Sequence, residues 1–186
     1  MIILGIDPGS RKAGFGLIEL KGRDINYLNS FTLKFDSKLL FFDRLKKIYE
    51  GCSEVFKEYK PDEVAFESLV YVKNISSLVK LSQARGVMLS ALFNCIESPV
   101  FEYSPNFVKA SLTNYGLSSK GSVEKSLSLI FGDIKFETDD SSDALAIAFC
   151  HSISRKRMDK LGGTTMTSFG RGKTLKSFAT SYLEIK

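Results

Sequence analysis

Asp7 closes a short apolar run, Ile2-Ile3-Leu4-Gly5-Ile6, and Glu67 closes another, Val64-Ala65-Phe66. Asp140 and Asp143 stand three residues apart, so a helix carrying both presents them on one face. Each acid has an ordinary structural explanation. Asp7 precedes Pro8-Gly9 and suits a strand-end turn. Asp140 and Asp143 suit a helix start, where acidic side chains cap amides and complement the dipole. Glu67 resists that reading, because an acid in a strand buried on both faces needs a partner. Considered together, four carboxylates gathered by one sheet repel each other and stay ionised only beside cations. Neither acid-bearing strand contains Lys or Arg. Hard divalent cations bound by oxygen are the fitting counter-charge, Mg²⁺ first. Two such ions about 4 Å apart activate a water and stabilise the leaving oxygen in phosphodiester hydrolysis.

The elements that must position these acids are legible in the pattern. Residues 2–7 are β-branched and apolar and predict a buried strand, turned by Pro8-Gly9-Ser10. Residues 14–20 and 25–33 predict two more strands around the loop Lys21-Gly22-Arg23-Asp24. The period then changes. Asp36-Ser37 would cap a helix from about Lys38 to Tyr59, with Leu39, Leu40, Phe42, Leu45, Ile48, Val55 and Phe56 as its apolar stripe. Lys60-Pro61-Asp62 ends it before a fourth strand, residues 64–67.

A long helix is expected from about Ile75 to Ile96. Its second half, Met88 onward, is apolar on nearly all sides and calls for more than one covering neighbour, a hint of a subunit contact. A fifth strand, residues 100–103, precedes helices at about 105–112, 121–130 and 141–160. The order βββαβαβααα describes an α/β domain, a mixed five-stranded sheet flanked by helices, over residues 1–160. Residues 161–186 read as a basic tail, mobile or conditionally ordered.

Composition narrows the partners. The chain has 186 residues, 44% hydrophobic and 25% charged, enough for one domain with a self-sufficient core. No apolar run approaches the roughly 20 residues of a membrane span. The first residues lack the basic flank of a signal peptide and meet Asp7 too early. Cys52, Cys95 and Cys150 are odd in number and far apart, against a disulfide framework or a Cys-rich zinc site. A cytoplasmic, reduced protein with no membrane partner is the expectation. Residues 151–186 carry eight Lys/Arg and two Asp/Glu, while residues 1–150 carry 18 and 19. A near-neutral domain with a basic end suits a polyanion partner, or simply a solvated tail.

At this point the sequence resembles a family. Ile3 to Ser10 (LGIDPGS with its leading Ile), Glu67, Val72-Lys73-Asn74 with residues 81–87 (LSQARGV), Phe101-Glu102-Tyr103, and residues 140–148 (DSSDALAIA) are similar to blocks of the RuvC-type Holliday-junction resolvases. The resemblance spans about residues 1–153. It implies an RNase H-like fold and a homodimer that resolves four-way DNA junctions in recombinational repair. It also implies two Mg²⁺ per site, with Mn²⁺ able to substitute, and association with a branch-migration motor complex. The family's acidic quartet carries over to Asp7, Glu67, Asp140 and Asp143, and its phosphate-contacting lysines to Lys109 and Lys120. Where the family usually has an aromatic residue three positions after the glutamate, this chain has Val70, and either Tyr71 next door supplies the ring against the DNA or the loop docks differently. Ser122 stands where the family tends to place glutamine.

Other residues have two readings each. Lys73 and Arg85 join the DNA-contact candidates, Arg85 either touching DNA or pairing with an acid. His151, the only histidine, reads as structural or solvent-facing. Tyr103 and Phe107 read as core. Arg155-Lys156-Arg157, Arg171, Lys173 and Lys176 either clamp phosphates or solvate the tail. Two other functions compete with a junction-cleaving nuclease. An actin-like phosphotransferase shares the sheet plan and a Gly-Ile-Asp-Pro-Gly loop but needs two lobes. A non-catalytic junction-binding module has no use for an intact acidic quartet.

Overall fold

Three β-branched and aromatic runs joined by short links are suited to antiparallel pairing. They form β1 (Ile2–Asp7), β2 (Lys12–Lys21) and β3 (Asp24–Lys34). Gly22, at φ 61°, takes the left-handed backbone of the β2–β3 turn. The computed structural model describes residues 1–22, 24–69, 74–113, 116 and 119–160, with the backbone alone for Lys120 and residues 156–160. Val70, Tyr71, Lys73, the domain boundary after residue 160 and the tail 161–186 lie outside the described residues.

β4 (Glu63–Glu67) joins β1 in parallel and β5 (Val100–Tyr103) joins β4 in parallel, giving the order β3-β2-β1-β4-β5. Parallel neighbours require crossover helices. α1 (Phe41–Tyr59) and α2 (Ile75–Cys95) provide them and pack on one face, over Leu4, Ile6, Phe15, Val64 and Phe66. α3 (Pro105–Thr113), α4 (Lys120–Phe131) and α5 (Asp139–Lys160) form the other side, over Ile3, Ile18, Ala65 and Tyr103. The result is the expected mixed five-stranded sheet flanked by helices.

α5 lies unusually close to the sheet, and the sequence explains how. Gly5 on β1 and Gly14 and Gly16 on β2 occupy the positions beneath it. A Cβ on any of them would collide with the helix backbone, at Ala144, Asp140 and Leu145 respectively. Small residues on the helix complete the fit, with Ala144, Ala146, Ala148 and Cys150 buried.

Two boundaries differ from expectation. α1 begins at Phe41, because Asp36 spends its Oδ1 on the Lys38 amide at 2.8 Å in a local turn and caps nothing. Leu40 precedes the helix without a side-chain cap, and Leu40 and Phe42 are each 76% exposed. The stripe that packs is therefore Leu45, Ile48, Val55 and Phe56, without Leu39, Leu40 and Phe42. α5 begins two residues early at Asp139. Thr138 caps it, its Oγ1 accepting from the Ser141 amide at 3.3 Å and its carbonyl from the Ser141 hydroxyl at 2.7 Å. Thr138 also meets Thr32 of β3 at 2.5 Å, tying the start of α5 to the sheet edge.

Candidate active site

Asp7 and Glu67 end neighbouring parallel strands. Ile6 is level with Phe66, so the acids occupy the next rung together. Strand alternation sends both to the α5 side, with Gly5 and Ala65, while Ile6 and Phe66 enter the opposite core. Asp7 is also the antiparallel partner of Gly14, and Gly14 lies against the Asp140 carbonyl. The first turn of α5, carrying Asp140 and Asp143, therefore sits over β2 beside the end of β1, with the end of β4 the next strand along. All four carboxylates are half-buried. The carboxyl ends of parallel strands are where open α/β sheets place their ligands.

Carboxylates at adjoining strand ends repel one another, and an ammonium relieves the repulsion. Lys12, the first residue of β2, does this for Asp140. The acid-bearing strands hold no basic residue, but the strand beside them supplies one. Asp140 Oδ2 is sealed from solvent and faces that ammonium as an ion pair without the directional geometry of a hydrogen bond. Among the described residues no group of three or more His, Cys, Asp or Glu stands ready as a coordination shell. The acids share one end of the sheet, and one of them is engaged by lysine. The donor set, four carboxylates with no thiolate or imidazole, still fits a hard divalent ion and not zinc. The shielded Oδ2 fits a seat for positive charge.

The other candidates fall in several places. Lys109 is half-buried one turn into α3, which leaves the sheet at the acid end, directly after the Tyr103–Glu67 rung. Lys120 opens α4, after the cap Ser119. Arg85 pairs with Glu102 and lies over the Phe66 ring at 5.4 Å, its side chain only 12% exposed. Acid pairing is the realised alternative, and burial lowers its pKa from the usual value. Phe107 stacks on Tyr103 at 5.8 Å but is 46% exposed, so only Tyr103 is core.

A second charged cluster escaped the sequence. His151 is fully buried on α5 and joins Tyr103 on β5 to Glu63 on β4, with both hydrogen bonds at 2.7 Å. Arg155 adds bonds from Nε to both Glu63 oxygens, at 2.8 and 3.0 Å. An ionised carboxylate can only accept, so His151 Nε2 carries a proton. Burial pushes the Tyr103 hydroxyl up, keeping it protonated beside His151 Nδ1. Burial alone would raise Glu63 too, but the hydrogen bonds from His151 and Arg155 outweigh it and hold the carboxyl below its usual range. His151 is thus structural, and Arg155 is neither a phosphate clamp nor a solvated tail residue. A lone histidine eight residues beyond Asp143 gave no sign of its partners, which come from distant strands. Cys52 is buried, and that burial pushes its thiol up to about 12, far from a reactive or metal-binding state. No helix among the described residues is long and apolar enough to cross a membrane.

Comparison with known proteins adds a family and a solved relative. The family model described as "Crossover junction endodeoxyribonuclease RuvC" matches residues 3–151. A protein of that name from Idiomarina loihiensis is 39% identical over 166 residues, 87% of this chain and 93% of its own. Another from Thermotoga petrophila is 41% identical over 158 residues, 84% and 94% of the two chains. The solved structure of Thermus thermophilus RuvC in complex with a Holliday junction substrate superposes with a TM-score of 0.78 at 28% identity. It covers 84% of this chain and 96% of that one.

Proposed function

The chain belongs to the RuvC family of crossover junction endodeoxyribonucleases, and from that premise we propose that it resolves four-way (Holliday) junctions by paired, symmetric phosphodiester hydrolysis at the Asp7–Glu67–α5 end. One observation carries the assignment of the site. Two acids end adjacent parallel strands, and two more occupy the helix turn packed on Gly14, the antiparallel partner of Asp7. Two Mg²⁺ ions, or Mn²⁺ in their place, would be held by Asp7, Glu67, Asp140 and Asp143, and when bound would supply the charge that activates a water and stabilises the leaving oxygen.

The protein's own residues set the rest. Lys109 and Lys120, at the starts of two helices flanking the acids, hold the phosphate backbone and fix register without reading bases. Resolution requires two cuts on opposing strands, and a homodimer with a two-fold axis supplies two sites in the matching arrangement. The outer face of α2 supports that assembly, since Ile75, Val79 and Phe93 are 67%, 50% and 64% exposed there. Junction selection rests on shape and symmetry, with Tyr71 and Lys73, which follow Glu67 in the sequence, as the residues expected to meet the crossover. The bacterial cytoplasm and cooperation with a branch-migration motor follow from the same family reading.

A synthetic four-way junction with end-labelled strands tests this. With Mg²⁺ the protein should place paired nicks at symmetry-related positions and spare the linear duplex of the same sequence. Binding without nicking in either Mg²⁺ or Mn²⁺ would leave a junction-binding module instead of a nuclease.

A further inference from the structure

Lys12 is a cation built into an acid pocket that is proposed to receive cations. Its backbone is pinned, because Gly9 of the Pro8-Gly9-Ser10 turn packs so closely on the Lys12 carbonyl that a Cβ there would collide with it. Alternation along β2 sends its side chain to the α5 side, shared with Gly14 and Gly16. There the ammonium contacts Asp140, whose side chain is 18% exposed, while Lys12 itself is 52% exposed. The arrangement is a fixed base with a long flexible stem, its charge resting on a shielded carboxylate and its body in solvent.

We propose that Lys12 is an intramolecular counter-ion for the acid pocket, a positioning residue that stabilises the metal-free arrangement and competes with the incoming divalent ion for Asp140. The proposal rests on the metal reading of the site given above and concerns its regulation. A divalent ion that takes Asp140 must displace the ammonium, so each binding event works against the Lys12–Asp140 ion pair and against a like charge. Lysine suits that role because its compact charge sits on a stem with several rotatable bonds and can withdraw into solvent without moving the strand. Removing the charge should therefore help the metal and harm the metal-free fold. A residue that only shaped the pocket would harm both.

Calorimetric titration of the full chain with Mn²⁺ at low ionic strength tests this on wild type, Lys12→Gln and Lys12→Arg. Lys12→Gln should bind Mn²⁺ roughly tenfold tighter than wild type, a value discounted for the solvent around Lys12. Lys12→Arg, which keeps the charge, should stay near wild type. The thermal midpoint of Lys12→Gln should fall below wild type without metal, and the gap should close or reverse in saturating Mn²⁺. Equal or weaker Mn²⁺ binding by a folded Lys12→Gln would overturn the proposal while leaving the metal site intact. Failure of every variant, wild type included, to bind Mn²⁺ would overturn the metal reading itself, and this proposal with it.

Discussion

Glu63 and Glu67 leave β4 on the same side of the sheet, beneath the same helix, and meet opposite surroundings. Glu63 receives a histidine and an arginine from the later turns of α5. Glu67 ends the strand beside Asp7, at the end of the sheet where the acidic first turn of α5 packs on Gly14. The helix is thus polarised, with Asp139, Asp140 and Asp143 at its start and His151 and Arg155 three turns on. The contrast separates two uses of a buried carboxylate. Where the helix brings bases, the acid is neutralised from within and joins strand to helix. Where the helix brings more acids, the charge is concentrated, and a lysine from a third strand offsets part of it. The first arrangement ties strand to helix through bases, whereas the second gathers oxygen donors of the kind hard divalent cations take.

The strongest way to break this contrast is at the acid end. Asp7→Asn should leave four-way junction binding within about twofold and lower cleavage by roughly a thousandfold or more, read from single-turnover assays beside a binding titration. Next in size is the seat that both ends of α5 share. Gly14→Ala forces a Cβ against the Asp140 carbonyl and should cost about 3 kcal/mol in urea unfolding, with cleavage falling as the first turn is displaced.

At the neutralised end, Glu63→Gln should cost about 2 kcal/mol while leaving cleavage within a few-fold of wild type. Its pH dependence sharpens the point. Glu63 has its folded pKa below the usual carboxylate value of 4.5, so the folded state holds fewer protons there. Its stabilisation is present above that value and is lost as pH falls through the lower folded pKa. Wild type should lose stability in that acidic window, and Glu63→Gln should lack this part of the slope. The smallest effect is expected from Lys109→Ala, a few-fold weaker junction binding and a salt slope shallower by about one.

Much of this was legible from the chain because local pattern and topology agreed. The run ending in Asp7 became β1 without change, since its apolar residues are buried on both faces and nothing else could cover them. The acids could be assigned to one end once Asp7 and Glu67 closed parallel strands, because their position follows from strand order alone. Side chains that choose between local and distant partners were not legible. Asp36 bonds the Lys38 amide instead of capping α1, a choice between two local turns of nearly equal chemistry. Lys12 reaches Asp140, and Glu63 reaches His151 and Arg155, only because α5 crosses β1 and β2 on their glycines. In the sequence those glycines are only members of the runs 2–7 and 14–20, and the closeness of approach they permit appears only in three dimensions.

The central claim is spatial: four carboxylates from two strands and a helix converge on paired divalent ions. Crystals soaked in Mn²⁺ and measured for anomalous scattering address it directly. Two peaks within about 4 Å of each other, bounded by Asp7, Glu67, Asp140 and Asp143 and with Lys12 turned away, are the predicted result. Mn²⁺ bound elsewhere, with Asp140 still held by Lys12, would contradict it.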